Sequence, residues 1–174
     1  MVNSVGNAFM EKIDNSSERR DRRAEKSNSE IASRLDLAAL RRTPGFMIRI
    51  LQLQIFDRFY CAFEKLEMSP AEYAILLLVR DNISVTQSEL AAVLKMQLPN
   101  LIKILSVMEN QGTIRRRRSA RDKRAVELSL TAAGRKRAQE ASRLGEQFNV
   151  EILAVLSKQE RANFLEMLGR LAAS

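Results

Sequence analysis

The spacing of apolar side chains changes abruptly near Thr113. Upstream they recur about every 3.6 residues, whereas Val126, Leu128 and Leu130 alternate, and a period of 2 belongs to an extended strand with one buried face. Residues 113–130 therefore predict a two-stranded hairpin set among helices. The same window holds the densest charge of the chain. Arg115, Arg116, Arg117, Arg118, Arg121, Lys123 and Arg124 against Asp122 give a net +6 in ten residues, out of +8 for all 174.

Helix-start signals divide the rest. Thr43-Pro44 places a cap and a first-turn proline before a helix over 44–66, and Ser69-Pro70-x-Glu72 does the same for a helix ending near Asp81. Thr86-x-x-Glu89 opens a third helix to about Leu94. Pro99 fits the first position of a fourth, which closes before Gly112 as the glycine just past its end. Thr131 caps a long helix to about Leu156, and Ser157-x-x-Glu160 caps a last one to about Ala172. Upstream, Ser27-x-x-Glu30 has the pattern for a short helix burying Ile31, Leu35, Leu37 and Leu40. Residues 1–28 are polar and mixed in charge, too poor in large apolar groups to offset the entropy of ordering, and are read as a disordered charged tail.

Composition excludes several classes of function. The chain contains no histidine, which removes the commonest general base and metal ligand together. Six scattered glycines form no phosphate-cradling loop. No enzyme, cofactor or metal site is expected. One cysteine rules out an internal disulfide and fits a reducing cytoplasm. The longest apolar run, 73–79, falls far short of the roughly 20 residues of a membrane span. The first ten residues lack the apolar core of a secretory leader. A pI near 10.1 predicts a polyanionic partner.

Helix, short turn, helix and basic hairpin, in that order, describe a winged helix-turn-helix with a two-stranded wing in a mainly α chain. A major groove about 12 Å wide admits one helix whose N-terminal side chains meet base edges. In 99–108, Leu101, Ile104, Leu105 and Met108 form a buried stripe, leaving Gln97, Asn100 and Lys103 outward as base-contact candidates. Asn and Gln pair bidentately with adenine, and Lys103 suits a guanine edge or a phosphate. An ordinary exposed helix face accounts for any one of the three taken singly. Thr86 and Gln87, opening the preceding helix, join the DNA-facing set. Of the wing residues Arg118, Arg121, Lys123 and Arg124, arginines at the tip suit the minor groove and the remainder neutralise phosphates. Asp122, two residues before Arg124, is placed to hold its guanidinium through charge-assisted hydrogen bonds. A solvated charge run is the plainer alternative.

Four segments carry a further likeness: Ser69-Pro70-Ala71-Glu72-Tyr73, Thr86-Gln87-Ser88-Glu89-Leu90-Ala91, Met108-Glu109-x-x-Gly112, and Arg121-Asp122-Lys123-Arg124-Ala125-Val126 followed by Leu128-Ser129-Leu130-Thr131-Ala132-Ala133-Gly134. In this order and spacing, residues 45–172 resemble the MarR family of bacterial transcription regulators. The resemblance implies a symmetric homodimer in which N-terminal helices (29–66) and C-terminal helices (131–174) interlock around a DNA-binding lobe (67–130). Two such lobes would bind a pseudo-palindromic operator on double-stranded DNA, with Arg124 in the minor groove steadied by Asp122. It implies a repressor released by a small aromatic effector, phenolic or an aromatic carboxylate, working in the bacterial cytoplasm at the nucleoid. A nonspecific architectural DNA-binding protein is the rival reading; it would show little preference for one sequence over random DNA.

Two departures stand out. Many members carry Ser-Thr-Val-Thr-Arg where this chain has Pro99-Asn100-Leu101-Ile102-Lys103, so their base preferences do not carry over. Peroxide-sensing members place a cysteine near the start of the first dimer helix, whereas Cys61 sits near its end and reads as a packed thiol.

For an effector, Arg49, Leu53, Phe56, Tyr60 and Phe63 recur at i, i+4, i+7, i+11 and i+14 and so share one helix face. Core or dimer packing is the plain explanation. A ligand site is the sharper one, with Arg49 binding a carboxylate, the rings flanking an apolar body, Tyr73 closing the pocket and Arg58 as a second anion partner.

Overall fold

The computed structural model describes residues 34–119, 122 and 124–173. The tail, the Ser27/Glu30 pattern, Ile31, Arg121 and Lys123 lie outside the described residues. The backbone divides into two compact units, 1–52 and 53–174.

The first unit contains α1 (Ala38–Arg41) and the start of α2 (Pro44–Ala62). The helix expected from Ser27 falls mostly outside the described residues; of those described, Arg34 is helical, and α1 is a further, separate turn. Asp36 explains its start, since its carboxylate accepts from the Ala38 N–H at 2.9 Å. Leu35 and Leu40 are exposed rather than buried.

In the second unit α2 ends at Ala62, four residues before the expected limit. The chain tightens into a 3-10 turn (Glu64–Leu66) and leaves it through Glu67, whose φ of 43° lies in the left-handed region. The Arg137 guanidinium then donates to the freed Leu66 carbonyl.

Helices α3 (Pro70–Asp81) and α4 (Gln87–Val93) start where the sequence places them. Ser69 and Thr86 each close a reciprocal box with the glutamate three residues on, satisfying main-chain N–H groups that a helix start leaves unpaired. Helix α5 (Leu98–Asn110) opens one residue earlier than expected, so Pro99 takes its second position. It ends as the sequence predicts. Gly112 takes φ 70°, which glycine adopts without a Cβ penalty, and its N–H donates to the Glu109 carbonyl at 2.9 Å while Thr113 N–H donates to Met108 at 3.0 Å. Strands β1 (Ile114–Arg118) and β2 (Val126–Leu130) pair antiparallel, Ile114 opposite Leu130 and Arg118 opposite Val126. The loop before α4 adds a third edge, since Leu128 N–H donates to the Val85 carbonyl at 2.8 Å and Thr86 bridges Glu127.

Thr131 caps α6 (Ala132–Ile152), which stops four residues short of the expected 156; residues 153–156 form turns before α7 (Lys158–Ala172), capped by Ser157 and Glu160. Among the described residues no single helix is long and apolar enough to cross a membrane.

The core joins α3, α4, α5, both strands and α6. Ile75, Leu76, Leu90, Leu101, Leu105 and Ile114 are almost wholly buried. Helix α6 contributes small residues, Gly134, Ala138, Ala141 and Gly145, at helical spacing. Close approach requires them: a Cβ at Gly134 would lie 1.8 Å from the Thr113 carbonyl oxygen, and one at Gly145 would lie 2.0 Å from the Tyr73 hydroxyl.

Candidate nucleic-acid interface

Helices α4 and α5 meet at a bend of 117° across the turn 94–97. Lys95 takes the turn with φ 52°, and the N–H groups of Lys95 and Met96 close on the carbonyls of Ala92 and Ala91 at 3.3 and 2.9 Å. This is the same helix ending that Gly112 makes, here built on a lysine in a conformation unfavourable for a side chain.

Helix α5 is held by Leu101, Leu105 and Met108 against the core, with Ile104 half-buried beside them. Its other face carries Asn100 and Lys103, both exposed, and Gln97 is exposed at the cap position. Leu98, Ile102 and Val107 lie exposed on the same helix, which the polar base-contact set did not include. Thr86 is differently placed. Its hydroxyl bonds Glu89 at 2.8 Å and receives the Glu89 N–H at 3.2 Å, so its side chain serves the cap, while Gln87 beside it is half-buried.

The four consecutive arginines divide by strand alternation. Arg115 and Arg117 point to one face of the wing, Ile114, Arg116 and Arg118 to the other. Arg116 is bound to α5. Its Nε and Nη2 reach Glu109 Oε2 at 2.7 and 2.6 Å, its main-chain N–H reaches Glu109 Oε1 at 3.1 Å, and Nη2 also reaches Ser106 Oγ at 3.2 Å. The Arg116 hydrogen bond holds the Glu109 carboxyl below its ordinary pKa. One arginine of the run thus fixes the wing to the helix, and Arg115, Arg117 and Arg118 remain exposed. Nothing in composition marks Arg116 apart; its register opposite buried Leu128 and a glutamate seven residues earlier are the only sequence signals.

At the tip, Asp122 accepts from the Arg124 main-chain N–H at 2.9 Å rather than from its guanidinium. The expected side-chain clasp is therefore corrected to a turn: Ala125 N–H donates to the Asp122 carbonyl at 2.9 Å, and a two-residue spacing suits an aspartate folding its own backbone. Arg124 itself is exposed. Ser119 donates to Glu127 Oε1 at 2.5 Å, tying the two strands where they leave the sheet.

The expected aromatic face also separates. Leu53, Phe56 and Tyr60 are exposed, whereas Phe63 is buried and stacks on Phe59 at 3.9 Å. Tyr73 meets Phe59 at 5.7 Å and Phe63 at 5.3 Å edge to face, and Phe148 completes this internal cluster. Burial raises the pKa of the Tyr73 phenol. The five-residue stripe was wide enough to straddle the line between covered and open surface, and Phe63 lies beyond the end of α2. Phe59, four residues before Phe63, and Phe148, three after Gly145, are the partners that the sequence reading missed. A rotation of 100° per residue carries Arg58 to the far side of the helix from Phe56, where it is exposed. Arg49 is exposed within the first unit. Cys61 is exposed, which corrects the packed thiol: Phe59 and Phe63 take the inward side, and position 61 lies opposite them.

Residues 68–126 match the family model described as MarR family. The transcriptional regulator HosA of Escherichia coli is 29% identical over 105 residues, covering 60% of this chain and 78% of that protein. Among solved structures, the transcriptional repressor CouR bound to a 23-mer DNA duplex is similar with TM-score 0.75 and 29% identity, over 79% of this chain and 98% of that one. CouR bound to p-coumaroyl-CoA is similar with TM-score 0.72 and 27% identity, over 79% of this chain and 97% of that one.

Proposed function

The chain belongs to the MarR family of winged helix-turn-helix transcription regulators, and on that premise we propose that it is a repressor that binds a pseudo-palindromic operator as a homodimer and is released by a small aromatic effector. The carrying observation is that Asn100 and Lys103 on α5 and Arg115, Arg117, Arg118 and Arg124 on the wing are exposed on one lobe. A helix offering amide and ammonium groups to base edges, beside guanidinium groups for phosphate and minor groove, is suited to sequence reading rather than to charge neutralisation alone.

Dimerisation is supported by α7, where Leu165, Met167 and Leu171 are exposed. Residues 131–174, with 29–66, are the proposed dimerisation helices. For the effector, Leu53, Phe56 and Tyr60 supply an open apolar side of α2 suited to an aromatic ring. The capture of CouR with p-coumaroyl-CoA, a thioester of an aromatic acid, supports that ligand class. Release follows if the ligand favours a dimer whose reading helices no longer fit successive major grooves, because only a difference in affinity between two states shifts the population.

The test begins with an operator enriched from random duplexes by the purified protein. Mobility shifts on that duplex should be reversed by an aromatic carboxylate or its CoA thioester, and Phe56→Ala should require several-fold more ligand at unchanged operator affinity. Equal binding to operator and random DNA would favour the architectural alternative, and a complex that no aromatic compound releases would remove the effector from the proposal.

A further inference from the structure

The first turn of the reading helix is apolar as well as polar. Leu98 and Ile102 are 40% and 37% exposed, and Pro99 lies between them on the same face. Positions i, i+3 and i+4 are neighbours on a helix surface, so the three form one continuous patch rather than scattered side chains. Single exposed apolar residues call for no explanation, but a contiguous patch at the functional end of a helix does. It is bordered by the exposed Asn100 and Lys103 on the same helix.

That border selects the occupant. A purely apolar protein surface laid on the patch would bury Lys103 against nothing, whereas duplex DNA meets the positive border with phosphates and offers an apolar group within the groove. In the major groove the thymine C5 methyl is that group. We propose that Leu98, Pro99 and Ile102 read thymine methyl groups, so that this chain's operator preference rests on shape contact with T·A pairs as well as on hydrogen bonds from Asn100 and Lys103. The inference rests on the chain being a sequence-reading DNA-binding protein and adds which bases it reads and through what chemistry.

The experiment uses the full chain and an operator enriched from random duplexes. Each thymine is replaced in turn by uracil, which removes the methyl and leaves every hydrogen-bonding group in place. Burying one such carbon is worth about a fourfold change in affinity. One or two thymines in each half-site should show that loss with the wild-type protein. With Ile102→Ala or Leu98→Ala, thymine and uracil duplexes should bind alike at those positions, while the uracil-containing duplex binds the variant and the wild type to nearly equal extents. Equal wild-type affinity for every uracil duplex would overturn the proposal, as would an undiminished uracil penalty in both variants. A change in oligomeric state without change in thymine preference would assign the patch to a second protein copy and overturn it too. Failure to enrich any sequence would refute the sequence-reading premise, and the methyl contact with it.

Discussion

Helix α5 has 13 residues and buries Leu101, Leu105 and Met108 almost completely, whereas α7, with 15, buries none of its residues although Leu165, Met167 and Leu171 are as apolar. Both show helical periodicity and both are well capped or well terminated. The difference lies in what surrounds them. Helix α5 is enclosed by α4, by the wing through Arg116 and by core residues of the same lobe, so one chain completes its packing. The apolar side of α7 is left open in a single chain, and a surface of that kind is stabilised when a second copy covers it. Amphipathic pattern therefore marks a helix as needing a partner without saying whether the partner belongs to the same molecule.

Leu105→Ala would break this contrast most severely. Removing a fully buried leucine from the reading helix should cost about 2–5 kcal/mol of folding stability, read by urea unfolding; a loss below about 1 kcal/mol would mean that the helix is not held as its burial indicates. On α7, Leu165→Glu combined with Leu171→Glu should leave the lobe folded, since exposed substitutions move stability by no more than about 0.5 kcal/mol each. If α7 forms the proposed dimer interface, the mass in solution should fall from two chains to one, and an unchanged mass would detach α7 from that interface.

The smallest effect concerns the clasp between wing and helix. Glu109 has its pKa lowered by the Arg116 hydrogen bond, so its contribution is present above the unfolded carboxylate value of about 4.3 and is lost as pH falls through the lowered value. The pair is partly exposed and screened, worth under about 1 kcal/mol. Glu109→Gln should therefore be slightly less stable than wild type at pH 7, with a narrower gap at pH 3. A constant gap at both pH values would show that the charge is not what joins the two elements.

Much of the lobe was readable residue by residue. Ser69 with Glu72, Thr86 with Glu89 and Ser157 with Glu160 mark helix starts because the interaction is local, three residues apart, and satisfies main-chain groups wherever the chain goes next. Gly112 marks a helix end for the same reason. Leu101, Leu105 and Met108 follow from period, as does the outward position of Asn100 and Lys103. The ends of α2 and α6 were each placed four residues too far, since apolar spacing persists through turns that continue to pack.

The candidate sites were readable by residue type more than by role. Charge alone could not tell Arg116, bonded to Glu109 and Ser106, from its exposed neighbours, nor foresee that Asp122 would receive a main-chain N–H instead of a guanidinium. Phe56, Tyr60 and Phe63 gave a single stripe in sequence, and only packing turned Phe63 inward beside Phe59, Tyr73 and Phe148 while leaving Phe56 and Tyr60 open. Sequence by itself determined the order and kind of the elements, because capping and periodicity act over a few residues. Tertiary structure decided which apolar face is covered and which arginine is committed, because those depend on groups brought together from distant parts of the chain.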